Sequence, residues 1–322
     1  VTLWPHSVVR FVPEHEFFTL GRMSGMATVS FTAASSHEVQ PDGGGIADFT
    51  YVNSGGSGDE YRIADMTAWE IVDSARKFYK LDNTYLPGID DDELLVAPNS
   101  NYFLLAAAFF PAGYFTTIQS PMIAFHEQGT MGNPNFAMPA IVSHEYGHFA
   151  LFEAFGVEQK GGLHEGYADV LALLHIQPAN DIIGYATGGC VSGQPKHGRD
   201  WPQLAADWDP EHNCSYDPYQ RSEQLVIAWR EIRDQIDNAQ ATSELFVSWS
   251  FLATPDALPG YCQSIGRGGA DADLSATDAT VYEMMVADDD DASLNNGTPN
   301  DVAICNGFDL VSLPSASSPF CG

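Results

Sequence analysis

The pattern of hydrophobic and polar positions changes along the chain, from short apolar stretches between turn-forming residues to longer stretches with helical spacing. Residues 8–12 and 27–32 are rich in β-branched and aromatic side chains and are predicted to be strands. Residues 114–118 and 122–125 have the same character and are predicted to form two more strands, joined by a turn at Ser120-Pro121. The first half of the chain is therefore expected to contain a β-sheet.

Apolar residues three and four positions apart predict helices, one early in the chain and the others from Pro139 onward. The predicted helices span residues 63–79, 139–155, 165–176, 218–236, 243–252 and 279–286. This order predicts an α+β fold with two lobes. Residues 1–156 are expected to form a strand-rich N-terminal lobe that ends with the helix starting at Pro139, and residues 157–322 a mainly helical C-terminal lobe.

Net charge is the unusual property of the composition. The chain has 43 acidic and 13 basic residues, which gives a formal charge of −30. Nucleic acid and anionic membrane surfaces are expected to be poor partners because both require basic patches. The longest apolar run, residues 103–110, is too short to span a bilayer. The acidic surface favours solubility, in salty water for example, and acidic clusters such as residues 288–300 make Ca²⁺ a candidate ligand.

Five cysteines are present, and none has the Cys-x-x-Cys spacing of a zinc ribbon or redox site. In a secreted protein the expected disulfides join cysteines that are near in sequence, Cys190 with Cys214 and Cys305 with Cys321. This pairing leaves Cys262 as the odd cysteine. Spacing alone leaves other connectivities open. The first residue is Val rather than Met, which suggests a processed start.

The strongest chemical signal is His144-Glu145-x-x-His148, which lies inside a predicted helix. Residues four apart lie on the same face of a helix, so the two imidazoles can bind one metal ion. Zn²⁺ is the predicted metal, because it accepts neutral imidazole and in catalytic sites takes three protein ligands plus water. Glu145 is predicted to be the base that activates this water.

A third ligand is predicted a short loop later. Glu165 follows His148 by enough residues to end one helix, turn through Gly161-Gly162 and begin a second helix against the first. Its carboxylate can then face the two histidines. Asp169, one helical turn further on, is predicted to accept the free N–H of a ligand histidine and so fix its tautomer.

His-Glu-x-x-His followed by Glu-x-x-x-Asp resembles the gluzincin metallopeptidases, the class of thermolysin and of the fungalysin-like secreted proteases. The run from Glu165 to Asp169 is similar to the fungalysin-type Glu-Gly-Trp-Ser-Asp. The resemblance is confined mainly to residues 140–170. It implies a two-lobed thermolysin-like fold with the zinc helix between the lobes.

The resemblance also implies a strand at a sheet edge that pairs with extended substrate. Residues 112–115, Ala-Gly-Tyr-Phe, stand where the family often has Asn-Ala followed by two aromatic residues. Gly113 and Tyr114 are therefore expected to contact substrate. An Asn-Gly-Thr-Pro run at 296–299 is similar to one in secreted bacterial gluzincins and adds to the expectation of calcium.

Attack on a peptide carbonyl makes an oxyanion, and a hydrogen-bond donor for it is expected at the start of the helix at 218. The run from Asp217 to Glu223 resembles the fungalysin-like Asp-x-His-x-x-Gly-Glu, and the histidine of that pattern falls on Tyr219. A phenol can donate the same hydrogen bond. Tyr216 and His212 are nearby alternatives, and Tyr219 could instead only pack on the core.

The protein is expected to be a secreted zinc endopeptidase that acts as a monomer on protein or peptide substrates. An aminopeptidase of the same class is a second reading, although the chain lacks the Gly-x-Met-Glu-Asn element that captures a substrate amine. A zinc-stabilised binding protein without turnover is a third. Glu145 argues against the third reading, because a structural zinc site has no use for a base.

Overall fold

The computed structural model describes residues 9–11, 15–24, 30–33, 37–39, 57–80, 86, 89–90, 93–100, 107–126, 136–155, 162–176, 182–183, 199–200, 214, 218–254, 256–258, 263, 272–274, 276–311 and 321. The chain forms two compact units. One comprises Val1–Asp73 and Asp90–Glu145, and the other Ser74–Ile89 and Tyr146–Gly322. The limits of the two predicted lobes stay a prediction.

The described strands are β1 (Val9–Phe11), β2 (Phe18–Ser24), β3 (Ser30–Ala33), β4 (His37–Val39), β5 (Leu94–Ser100), β6 (Ala107–Phe110), β7 (Met122–His126), β8 (Ile182–Ile183), β9 (Arg199–Asp200), β10 (Asp256–Leu258) and β11 (Ala272–Leu274). Five of them form one mixed sheet in the order β3-β2-β5-β7-β6. The central pairs β2/β5 and β5/β7 are parallel, and the outer pairs are antiparallel. Three short antiparallel pairs lie apart from it: β1/β4, β8/β9 and β10/β11.

Apolar side chains on the central strands make the core of the first unit. Leu20, Val96, Ile123 and Phe125 are fully buried. Burial on both faces is usual for parallel strands, and it explains why β5 and β7 read as nearly continuous apolar runs. The strand predicted at 122–125 is confirmed as β7, and those predicted at 8–12 and 27–32 overlap β1 and β3.

The prediction of a strand at residues 114–118 is wrong. These residues form a turn in which the N–H of Tyr114 donates to the carbonyl of Pro111 at 3.1 Å, and Phe115 makes a single bridge to Ile118. Gly113 has φ of +74°, a conformation that interrupts an extended strand. The edge strand is instead β6, just upstream, and Pro111 cannot extend its ladder because it lacks an N–H.

Seven α-helices lie within the described residues: α1 (Ser57–Phe78), α2 (Pro139–Phe155), α3 (Gly162–His175), α4 (Pro218–Ile236), α5 (Ala239–Ser250), α6 (Asp278–Asp288) and α7 (Asp301–Leu310). The core of the second unit is aromatic. Phe246 packs against Tyr167, Trp229 and Trp249 with ring centroids 5.0 to 5.9 Å apart. This cluster joins α3, α4 and α5.

Strands and helices are both present in substantial amounts, so the fold is α+β, as predicted. The thermolysin-like arrangement stays a prediction. None of the helices among the described residues is long and apolar enough to cross a membrane.

Candidate metal centre

Helix α2 holds the two histidines of the motif in a buried setting. It begins at Pro139, whose missing N–H costs nothing in a first turn. His144 and His148 lie on one face because they are four residues apart, and they are only 6% and 5% exposed. Val142 and Phe149, on either side in sequence, are fully buried. The helix thus holds the two imidazoles together in an environment with little exposure to solvent.

Helix α3 comes very close to α2 at a glycine. A Cβ placed on Gly147 would lie 2.7 Å from the Cα of Ala168, which is closer than real Cβ contacts come. The missing side chain at Gly147 is therefore what allows this approach. Glu165 precedes Ala168 by three residues, so it lies on the face of α3 that is turned toward α2.

The predicted ligands come together. His144, His148 and Glu165 each offer one ligand atom, and the three atoms all lie within 4.8 Å of one another. His148 Nε2 and Glu165 Oε2 are 3.7 Å apart. Bonds of about 2.1 Å to a tetrahedral ion would separate ligand atoms by roughly 3.4 Å, so small side-chain movements would close the site. This group could bind a metal ion.

Glu145 is a buried carboxylate on the same helix as the two histidines, but it is not a member of the three-residue group. Successive helical residues point about 100° apart, so Glu145 leaves the helix in a different direction from His144. The role of base stays a prediction.

Asp169 is completely buried on α3, and its Oδ2 lies 3.5 Å from the hydroxyl of Ser222 on α4, which donates to it. A buried carboxylate requires hydrogen-bond donors, and Ser222 is one of them. That Asp169 also orients a ligand histidine stays a prediction.

His164 belongs to the centre and was missed by the sequence reasoning. Its ring stacks on that of His148, with centroids 4.0 Å apart and planes inclined by 13°. The only signal in the sequence was its place directly before Glu165. A residue next to a ligand in the first turn of α3 can reach the same imidazole from another side.

Each of the two helices carries a buried tyrosine close in sequence to a candidate ligand. Tyr146 on α2 lies 6.3 Å from Tyr79 between ring centroids, and Tyr167 on α3 donates a hydrogen bond to Ser250 at 2.8 Å. Burial raises the pKa of the Tyr79 phenol well above its usual value, and the neighbouring Tyr167 raises it further. Burial likewise raises the pKa of Tyr167. Both phenols therefore stay neutral and act as packing groups.

The other predicted site residues are placed less completely. Tyr219 lies in the first turn of α4, but its side chain is outside the described residues, as are Tyr216 and His212. Gly113 and Tyr114 lie in the turn between β6 and β7, and the Tyr114 side chain is 59% exposed. Their substrate contacts stay predictions.

The acidic run near the end of the chain is partly used in local hydrogen bonds. Asp288 accepts from the Thr298 hydroxyl at 2.7 Å and from the backbone N–H of Asn300 at 2.6 Å. The carboxylates of Asp289, Asp290 and Asp291 cluster at the surface. Such exposed clusters are common without an ion, so calcium binding stays a prediction.

The predicted disulfide between Cys305 and Cys321 is confirmed. Cys214 is also disulfide-bonded, while Cys190 and Cys262 lie outside the described residues. The pairing of Cys190 with Cys214 therefore stays a prediction.

Comparison of the chain with known protein-family models, with curated proteins and with solved structures finds no match.

Proposed function

We propose that this protein is a secreted zinc endopeptidase of the gluzincin class. The observation that carries the proposal is the grouping of ligand atoms from His144, His148 and Glu165 within 4.8 Å, with Glu145 on the same helix as the histidines. Two imidazoles and one carboxylate suit zinc. Three protein ligands, rather than four, are typical of catalytic zinc because one position is left for water.

The chemistry follows from these groups. A zinc ion held by His144, His148 and Glu165 would supply Lewis-acid chemistry and would lower the pKa of a bound water toward about 7. Glu145 would accept a proton as general base and then donate it to the leaving amine as general acid, so one carboxylate would serve in both roles. Tyr219 is proposed to donate to the oxyanion, and Gly113 and Tyr114 to contact the peptide.

Two features support the wider proposal. The disulfide between Cys305 and Cys321 suits an oxidising, extracellular compartment. Cleavage within chains is favoured over removal of N-terminal residues, because the sequence has no Gly-x-Met-Glu-Asn run to hold a free amine.

The test is digestion of a denatured protein mixture by the purified protein, with the cleavage sites read by mass spectrometry. Internal cuts are expected. Glu145→Gln is the matched control: it keeps the shape of the side chain and the three ligands, so it should bind zinc normally and lose most of the turnover, by at least about 100-fold. Digestion by the Glu145→Gln variant at the wild-type rate would remove Glu145 from the chemistry. Release of N-terminal residues alone would identify an aminopeptidase.

A further inference from the structure

His148 is contacted from two directions by consecutive residues of α3. His164 lies flat against the imidazole ring, with centroids 4.0 Å apart and planes inclined by 13°. Glu165 approaches the edge of the same ring, with its Oε2 3.7 Å from Nε2. One contact limits tilting of the ring plane, and the other limits rotation within that plane.

A stacked ring stabilises the His148 imidazole most when that imidazole carries positive charge. Electron density is withdrawn from an imidazole that binds a metal cation, and a cation is attracted to the face of a neighbouring aromatic ring. The stack is therefore expected to strengthen when His148 binds metal. Residues that orient a metal ligand typically change metal affinity by about 10- to 100-fold when they are replaced.

His164 itself does not belong to the group of ligand atoms. Among the residues that the structure describes, that group consists of His144, His148 and Glu165. The flat face of His164 is the part of the side chain that contacts the candidate ligand His148.

We propose that His164 is a positioning residue that fixes the ring plane of His148 by stacking and thereby raises the affinity of the centre for zinc. The inference rests on the metal-binding half of the proposed function and is independent of peptide hydrolysis. Its expected effect is roughly tenfold in the dissociation constant for zinc.

The experiment compares His164→Phe with His164→Leu. Phe keeps a flat aromatic face without ring nitrogens, whereas Leu fills similar space without such a face. The zinc dissociation constant of each purified full-length variant is measured by competition with a chelating dye. We expect His164→Phe to bind zinc within about threefold of the wild type and His164→Leu to bind roughly tenfold more weakly. With Co²⁺ in place of zinc, the visible absorption bands should shift for His164→Leu and stay unchanged for His164→Phe.

Two controls separate positioning from stability. Thermal unfolding of the metal-free variants shows whether the Leu side chain destabilises the fold. If His164→Leu is destabilised, His164→Ala is used in its place. His175→Gln removes the second histidine of α3, which lies outside the centre, and the zinc affinity of this variant should equal that of the wild type.

Equal losses in His164→Phe and His164→Leu would overturn the proposal, because a ring nitrogen would then be the active part. Unchanged affinity in both would overturn it as well. If the wild type bound no zinc, the metal-binding half of the proposed function would fail together with this inference. Zinc binding without peptide cleavage would leave the inference standing and reject only the peptidase.

Discussion

At the scale of single residues, the centre assigns different tasks to similar side chains. Glu165 groups with the two histidines, whereas Glu145, also largely buried, leaves α2 in another direction. His148 is a candidate ligand, and His164 stacks on it without joining the ligand group. Residue type alone does not separate these roles, because position on the helix decides which atom reaches the metal.

His175 gives a prediction of pH dependence. Burial lowers its pKa from 6.5 to about 4, and its Nε2 lies 2.9 Å from the Ser74 hydroxyl. As pH falls below 6.5, the unfolded chain takes up a proton that the folded protein refuses until about pH 4. This site should therefore lower the free energy of unfolding between these values, by up to about 3 kcal/mol.

The measurement is denaturant unfolding of the metal-free protein at several pH values. His175→Gln keeps a polar partner for Ser74 but cannot titrate, so its unfolding free energy should fall less steeply between pH 6.5 and 4 than that of the wild type. Parallel curves for the two proteins would show that His175 does not contribute.

At the scale of elements, the close approach of α2 to α3 at Gly147 is the contact next to the candidate metal ligands. Gly147 lies between the two histidines, and Ala168 lies one turn beyond Glu165. The contact between these two small residues sets how far Glu165 is from the imidazoles. A change in helix separation should therefore alter metal binding directly.

Gly147→Ala should weaken zinc binding by about 10- to 100-fold, because the added Cβ would lie 2.7 Å from the Ala168 backbone and force the helices apart. Gly307→Ala is the matched control. Its Cβ would come equally close to the carbonyl of Ala228, so it should destabilise the fold without changing the zinc dissociation constant. Isothermal titration calorimetry with zinc measures the dissociation constants of both variants. Wild-type affinity in Gly147→Ala would show that Gly147 does not set the distance between Glu165 and the imidazoles.

The sequence predicted the elements that carry strong local signals. The start of α2 was marked by Pro139, and the spacing of His144 and His148 placed both on one face. The turn at Gly113 to Ile118 was missed because its aromatic and β-branched residues also suit strands, whereas the positive φ of Gly113 and the hydrogen bond from Tyr114 to Pro111 appear only in the structure. His164 was missed because ring stacking between helices depends on tertiary packing, which leaves no periodic pattern.

At the scale of the whole molecule, the charge of −30 is the dominant property. Like charges on a folded surface repel one another and destabilise the compact state. Salt weakens this repulsion, since the Debye length falls from about 10 Å at 0.1 M to about 3 Å at 1 M.

The melting temperature should therefore rise by several degrees between low salt and 1 M NaCl. Differential scanning calorimetry at pH 7 measures this change. A second series near the isoelectric pH of about 4.3, where the repulsion is small, should show much less dependence on salt. A melting temperature that is independent of salt at pH 7 would mean that the acidic residues are compensated within the fold.

The most direct test of a zinc peptidase is to measure the metal content of the purified protein by mass spectrometry and its peptide hydrolysis in parallel. We expect about one zinc per chain, loss of hydrolysis when a chelator removes it, and recovery when zinc is returned. His144→Ala should lower both the zinc content and the hydrolysis. A protein that contains no zinc, or that hydrolyses peptides fully after its metal is removed, would contradict the proposed zinc peptidase function.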